Sequence, residues 1–452
     1  MDKIYSLFRV EKPTKVRISI PEKLLSISKP LIYTLRISGY YPICIVDKFK
    51  LRLNYLSFPF IWTSTYLFLL FLSDVTYYVS SYSIGHVVDQ LGNIERLSHG
   101  LVSLSASIFT EILRTFTFLK RREIISFWDY NCKKLEGFIK LRSNFDFCSI
   151  GKHDRYFNGI SCLVRRRVKF GIVFSITFAL LELWTQITNV QNKRRSFSLI
   201  DAIAITASMF WNFNIAIDVM LTLYITFFLK VYCACFKIIG DELAATSYWE
   251  RPRKTKSEKF QFIELFSELE YPGRDEADRV RAITDCIDAY YIVEDLVSEC
   301  NCHFAFEMSW QILFSFIFVC ARAFCSIFLL LILSVPSVLY MTCNVSIYLW
   351  KVYSLANNCS AIDIAVKRIT MQLHFIDLES VPTWLQTKIN LLALKISTER
   401  PKVSPGQFFT LNRRLLTSIV ASMTTYLIIL IQFQVADRGT PVCNCTCTTI
   451  YN

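Results

Sequence analysis

The sequence predicts an all-α polytopic membrane protein with seven spanning helices, amino terminus cytosolic and carboxyl terminus extracellular. Three observations carry that prediction. Apolar residues make up 53% of the 452-residue chain and mean hydropathy is +0.36, more than a soluble domain tolerates. Those residues gather into seven stretches, each long enough to cross a hydrocarbon core of roughly 30 Å as a helix. Lys and Arg concentrate in alternate connections between the stretches.

The elements follow in order. Residues 1–56 are expected to be cytosolic or interfacial. Arg9, Lys12, Lys15 and Arg17 precede any sufficient apolar run, so no cleavable signal is read. Leu31 to Leu53 mixes Arg36, Lys48 and Lys50 with aromatics, as an amphipathic stretch at the inner interface does. Spans one to four occupy 57–236. The first is Phe58 to Tyr78. The second, Gly100 to Leu119, ends on Lys120-Arg121-Arg122, and the third, Val168 to Val190, follows Arg165-Arg166-Arg167, so both abut one basic loop, 120–167. The fourth, Ser208 to Phe236, is long enough to project beyond the bilayer.

Residues 237–303 form the largest polar insert, in which Trp249 to Lys256 reads as a flexible loop. Glu264 to Leu269 and Ala277 to Leu296 have helical spacing, the second through Val280, Ile283, Ile287 and Tyr291, which extends helices four and five into the cytosol. The fifth and sixth spans share Phe304 to Tyr353 within 304–355, and the turn Ser334-Val-Pro336-Ser makes them antiparallel neighbours. A more polar segment, 356–405, precedes the seventh span, Leu415 to Val435 within 406–435, and an extracellular tail, 436–452.

Orientation comes from counting cations. The 120–167 connection holds Lys133, Lys134, Lys140, Arg142, Lys152 and Arg155 besides its two basic triplets, whereas Val79 to His99 holds only Arg96. Lys193-Arg194-Arg195 is an exception on the outer side. The net charge of +13 does not imply nucleic acid, because the cations lie in loops between apolar segments, where topology and anionic lipid account for them. The sixteen cysteines include no CxxC pair and meet no His cluster at zinc spacing, so no metal or other cofactor is expected. Cys233, Cys235, Cys300 and Cys302 read as reduced cytosolic thiols. Cys443, Cys445 and Cys447 in the outer tail leave disulfides, or a glycan on Asn444, open. The Asn344 sequon lies near the outer end of span six, and that at Asn358 falls in the cytosol.

Catalysis has no foothold. The chain holds no GxGxxG, GxxxxGK[ST], GxSxG, HExxH or EF-hand pattern. The informative residues are ionisable groups inside spans, which are expensive in lipid and mark partners or pathways: Asp74, Glu111, Arg114, Glu182, Asp218 and Arg322. Glu111 and Arg114, three apart, read as an intrahelical pair. The outer halves of spans three, four and six bring Glu182, Trp184 and Gln186 toward Trp211, Asn214 and Asp218, and toward Tyr340 and Asn344. Aromatic walls with a few placed polar groups suit a small organic ligand, although tryptophan and tyrosine are also enriched at membrane interfaces.

The last span is the most telling. It carries no formal charge from Leu415 to Val435, yet Ser418, Ser422, Thr425, Ile429 and Gln432 step by four and three along one face. Lipid-facing helices rarely carry so many polar groups, so that face is expected to meet protein or water. Small residues there also permit close helix packing.

Within this span Thr425-Tyr426, five apolar residues and Gln432-Phe433 resemble the C-terminal signature of insect gustatory receptors, and Gly406-Gln-Phe-Phe-Thr-Leu-Asn412 resembles that family's approach to its last helix. The resemblance implies a tetrameric ligand-gated cation channel related to insect odorant receptors, with the last helix lining a central pore and Gln432 and Phe433 at its constriction. It implies as partners a small tastant, monovalent and divalent cations, membrane lipid and further copies of the chain, with mixed assembly with other gustatory receptors left open, in the plasma membrane of chemosensory neurons. The inner part of the insert, with Ala356 to Ile396, resembles the anchor where four subunits meet. No acidic ring appears in the last helix, so cation selectivity is expected to come from elsewhere or to be weak. Sugar-sensing members commonly carry Glu after Thr-Tyr; here it is Leu427, which favours bitter or general chemosensing. Sugar, light and temperature sensing stay open. A G-protein-coupled receptor would need the opposite orientation, and neither Asn-Pro-x-x-Tyr nor Asp/Glu-Arg-Tyr stands at the helix ends. A transporter would show inverted repeats, which are not visible.

Overall fold

A computed structural model describes residues 20–45, 51–83, 108–143, 148–192, 202, 205, 206, 209, 218–247, 276–329 and 335–439. The described residues are all-α apart from one short hairpin. Helix α1 (Ile20–Ile37) leads to β1 (Cys44–Ile45) and β2 (Leu51–Arg52), which pair antiparallel with Cys44 opposite Arg52. There follow α2 (Phe58–Ser83), α3 (residues 108–119), α4 (Arg121–Ser143), α5 (Cys148–Asn192) and α6 (Val219–Ser247). Then come α7 (Glu276–His303), α8 (Ala305–Leu329), α9 (Val335–His374), α10 (Thr383–Thr398) and α11 (Arg413–Gly439).

Helix α6 is the axis of the fold. Its sequence from Val219 to Phe236 is apolar round most of its circumference, as suits a helix surrounded by protein. It packs against α9, α7, α5 and α1, and 94% of its most apolar window is buried inside the chain. Phe228, fully buried, meets Phe127 and Tyr224 edge-on and lies beside Phe304. Because lipid tails are as apolar as leucine, such packing and a few interior polar pairs hold membrane helices together, rather than escape from water. The hydroxyl of Thr222 donates to Gln311 Oε1 of α8 at 3.0 Å, and that of Tyr232 to Asn131 Oδ1 of α4 at 2.5 Å.

Two regions differ from the sequence expectation. The stretch from Leu31 to Leu53, expected to be amphipathic at the inner interface, runs from the last turns of α1 through the hairpin, and the apolar stripe of α1, with Leu24, Ile27, Leu31 and Leu35, is buried against α4, α5 and α6. An amphipathic helix has the same pattern whether lipid or protein covers its apolar stripe, and here protein does. The 120–167 connection, expected as a loop, is helical through most of its length. Ile124, Phe127, Trp128, Asn131, Leu135 and Phe138 recur at helical spacing and are buried, in part against α7.

Other elements lie where the pattern placed them. Helix α2 starts at Phe58 with Pro59 in its first turn, where the missing N–H costs nothing. Helix α7 continues past Phe304 into α8, and α9 begins at Val335 beside the predicted turn. Among the described residues, Cys233, Cys235 and Cys300 are buried thiols and Cys302 is exposed. The expected loop at 249–256, the helical pattern at 264–269 and the tail cysteines lie outside the described residues.

Candidate functional site

Four helices, α2, α3, α6 and α9, and the segment after α1 meet in a buried polar centre. Asp218, at the start of α6, accepts a short hydrogen bond from the Tyr40 hydroxyl and an ion pair from Arg114 Nη2 at 3.3 Å, and all three side chains are buried. The Arg114 guanidinium also sits over the rings of Tyr40 and Tyr66, at 4.9 and 5.3 Å. Arg114, read from sequence as the helical neighbour of Glu111, thus reaches across the bundle to another helix. Asp218 further lies in electrostatic reach of Tyr348 and Lys351 on α9. Lys351 is buried, with its ammonium 5.0 Å from the Tyr348 ring centroid and 5.9 Å from that of Phe109.

Of the residues predicted to form a ligand pocket, the structure brings together those on α9 with an aromatic of α5. Tyr340 is buried and stacked on Phe178 at 5.0 Å. One turn on, Asn344 is wholly buried; its Nδ2 donates to the Tyr340 carbonyl at 3.3 Å, and its Oδ1 makes no hydrogen bond among the described residues. Arg322 of α8, also buried, directs Nη1 to Met341 Sδ at 3.4 Å and shares the neighbourhood of Tyr348. Trp184 of α5 is 51% exposed, on the outer face. Glu182 and Gln186 lie on α5, with only their backbone described, and Trp211 and Asn214 fall outside the described residues.

The six predicted pore residues lie on α11, whose best membrane window is only 6% buried within the chain. Met423 is the buried contact of that helix, with Leu415, Ile419, Leu427 and Leu430 packed beside it against the core. Ser418, Ser422, Thr425, Ile429 and Gln432 lie about 120° away round the helix at 100° per residue, and all are exposed, as is Phe433. The lead-in is firmly held. Gly406 adopts φ 58°, and a Cβ there would come within 2.8 Å of the Phe408 ring, so glycine is required for this turn. Asn412 Oδ1 caps α11 by accepting from the Leu415 amide at 2.9 Å, and Arg413 Nη2 donates to Asn357 Oδ1 of α9 at 2.7 Å.

Comparison with known proteins decides the family. The profile described as 7tm chemosensory receptor matches residues 28–437, most of the chain. The chain belongs to that chemosensory receptor family. The family is not an enzyme class. A stretch of 70 residues of this receptor is 35% identical to gustatory and odorant receptor 24 of Anopheles gambiae, covering 16% of this chain and 15% of that one. Among solved structures, the insect olfactory receptor OR5 from Machilis hrabei superimposes with a TM-score of 0.65 at 13% identity, over 90% of this chain and 97% of that chain. The same receptor in complex with eugenol gives 0.58 over the same shares. At that identity the likeness establishes the fold.

Sequence reading missed several interior groups of this receptor. Tyr40 lies outside any span and carries no pattern that points to Asp218. Others left a signal: Asp218, Thr222 and Thr226 step by four along α6, as do Glu307, Gln311 and Ser315 along α8, and each set is buried. A polar ladder on an apolar helix marks the face turned to protein.

Proposed function

We propose that this receptor is a gustatory receptor acting as a ligand-gated, poorly selective cation channel. It assembles as a tetramer in the plasma membrane of chemosensory neurons, amino termini inside and carboxyl termini outside. The observation that carries the reading is α11: a helix apolar enough to span a membrane, with a continuous polar stripe and almost no cover from its own chain. Facing lipid, that stripe is unfavourable; facing the same stripe of neighbouring copies, it lines a water-filled conduit. Ser418, Ser422, Thr425 and Ile429 form its wall, and Gln432 and Phe433 its constriction. An amide beside a bulky ring closes by dewetting and opens by a small helix displacement.

A second exposed apolar surface supports assembly. On α10, Leu385, Ile389, Leu392 and Ile396 are buried, whereas Trp384, Leu391 and Leu394 on the other face are exposed, as are Met371 and Phe375 at the end of α9. An apolar patch of this kind, outside the spans, fits a contact between copies.

The ligand is a small organic tastant, bitter or general chemosensory, bound where α5, α6 and α9 meet around Tyr340, Asn344 and Asp218; Glu182, Trp184, Gln186, Trp211 and Asn214 are the further contact candidates read from the sequence. The stacked Phe178 and Tyr340 and the unpaired Asn344 Oδ1 suit a small ring with one polar group, and a receptor of the same fold has been seen with eugenol. Whole-cell recording from cells expressing this chain without added G protein, perfused with plant alkaloids and sugars, tests the reading. A rapid, reversible inward cation current is expected. Responses that require a G protein would overturn it.

A further inference from the structure

The middle of α5, just before its exposed apolar portion, carries Arg165, Arg166, Arg167 and Lys169. Arg167 turns inward, into a small pocket that it shares with Lys230 of α6, walled by Leu31, Val164, Leu223 and Phe227. Both cations are half-buried and close enough to repel each other. Among the described residues neither has an ion-pair or hydrogen-bond partner, and Arg167 Nη1 is fully shielded without one there. The acids of α6 serve other groups: Asp218 holds Arg114, Asp241 holds Arg368 at 2.8 Å and the Tyr156 hydroxyl at 2.9 Å, and Glu242 Oε2 faces the Cys286 thiol. Two like charges brought together in a partly desolvated pocket need an anion with several acceptor oxygens.

The adjoining surface of α5 indicates which anion. Cys162, Arg166, Lys169, Val173, Ile176 and Leu180 step by four and three along one stripe, and all are exposed. The stripe is cationic at one end and apolar at the other, the complement of an amphiphile with an anionic head. We propose that Arg167 and Lys230 form a headgroup site for an anionic phospholipid in the leaflet that meets the basic end of the bundle. Arg166 and Lys169 strengthen the local positive field, and the acyl chains lie along Val173, Ile176 and Leu180. Because Leu31 walls the pocket, the lipid ties α1 to α5 and α6.

The test reconstitutes the full chain in nanodiscs of phosphatidylcholine and phosphatidylserine, extracts it into mild detergent, and measures by mass spectrometry the two lipids retained. The wild type is expected to retain phosphatidylserine selectively, and R167Q with K230Q to lose about twenty-five-fold of that enrichment, since each basic residue near an anionic surface contributes roughly fivefold. K133Q with K140Q, which removes the same charge from the exposed face of α4, should retain it, and so should the charge-preserving R167K with K230R, which controls for packing. The proposal is overturned if the neutral pair binds like wild type, if either control loses as much as the neutral pair, or if millimolar inorganic phosphate displaces the lipid, which would make this a free-phosphate site. The readout needs no agonist, so it stands apart from the channel reading.

Discussion

Asn301 grips the backbone that leads into the last helix: its Nδ2 donates to the Lys402 carbonyl at 2.7 Å, and its Oδ1 accepts from the Ser404 amide at 3.3 Å. One side chain of α7 therefore fixes the segment whose position sets α11. Ser404 in turn donates to the Phe409 carbonyl at 2.9 Å, so the turn around Gly406 is held from both sides. Movement of α7 and α8 has a direct route to the exposed helix.

Asn301→Ala removes both bonds, each contributing about 1 kcal/mol. The agonist concentration for half-maximal current is expected to shift by roughly three- to tenfold, with normal surface expression. Dose–response recording with surface biotinylation checks this, and an unchanged midpoint would show that the clamp does not transmit.

The Arg114–Asp218 pair is buried at both ends, so breaking one side is costly. Asp218→Ala is expected to destabilise the protein by about 3–5 kcal/mol, because it removes the counter-charge of a buried guanidinium, whereas Arg114→Met with Asp218→Leu should recover much of that loss. Thermal unfolding in detergent compares the three proteins. Equal loss in the single and double variants would mean that packing, rather than charge, is what the site supplies.

His303 closes α7 against Phe127, its ring stacked at 4.3 Å with an interplanar angle of 6°. Burial, reinforced by Lys120, lowers its pKa from 6.5 to about 3. The unfolded chain takes up a proton near pH 6.5 and the folded chain does not, so the stability that neutral His303 contributes is full above pH 6.5. It is lost as pH falls toward 3, at about 1.4 kcal/mol per pH unit. His303→Phe should reduce the fall in unfolding temperature between pH 6.5 and 5. A slope equal to wild type would assign the acid sensitivity to other groups.

Asn344→Ala tests the ligand region. It removes a fully buried amide and is expected to shift agonist sensitivity about tenfold while leaving single-channel conductance unchanged. A changed conductance would move Asn344 out of the pocket.

Helix α2 was legible from Phe58 onward because a long apolar run can only be a span, and α8 and α9 because Pro336 interrupts another. The stripe on α11 was legible because its spacing is helical and its residues conflict with lipid. The burial of α1 and the reach of Tyr40 to Asp218 were not, since an amphipathic pattern states which side is apolar and not what covers it. The same holds for α4, whose charged residues hid a buried face that begins at Ile124. Pairing between distant helices, such as Arg114 with Asp218, depends on tertiary placement that spacing along one helix cannot encode.

Gln432→Ala and Phe433→Ala are each expected to change basal leak or agonist gating with surface expression intact. Unchanged currents in both would remove these residues from the constriction.

The central claim, that the polar stripe of α11 lines the conduit, is tested most directly by cysteine substitution at Ser422, Thr425 and Ile429, with Val420, about half a turn away round the helix, as the comparison. Currents are recorded while a water-soluble cationic thiol reagent is applied with agonist. Rapid, irreversible block at the three stripe positions and none at Val420 is the predicted result; block at Val420 with the stripe positions untouched would contradict the account.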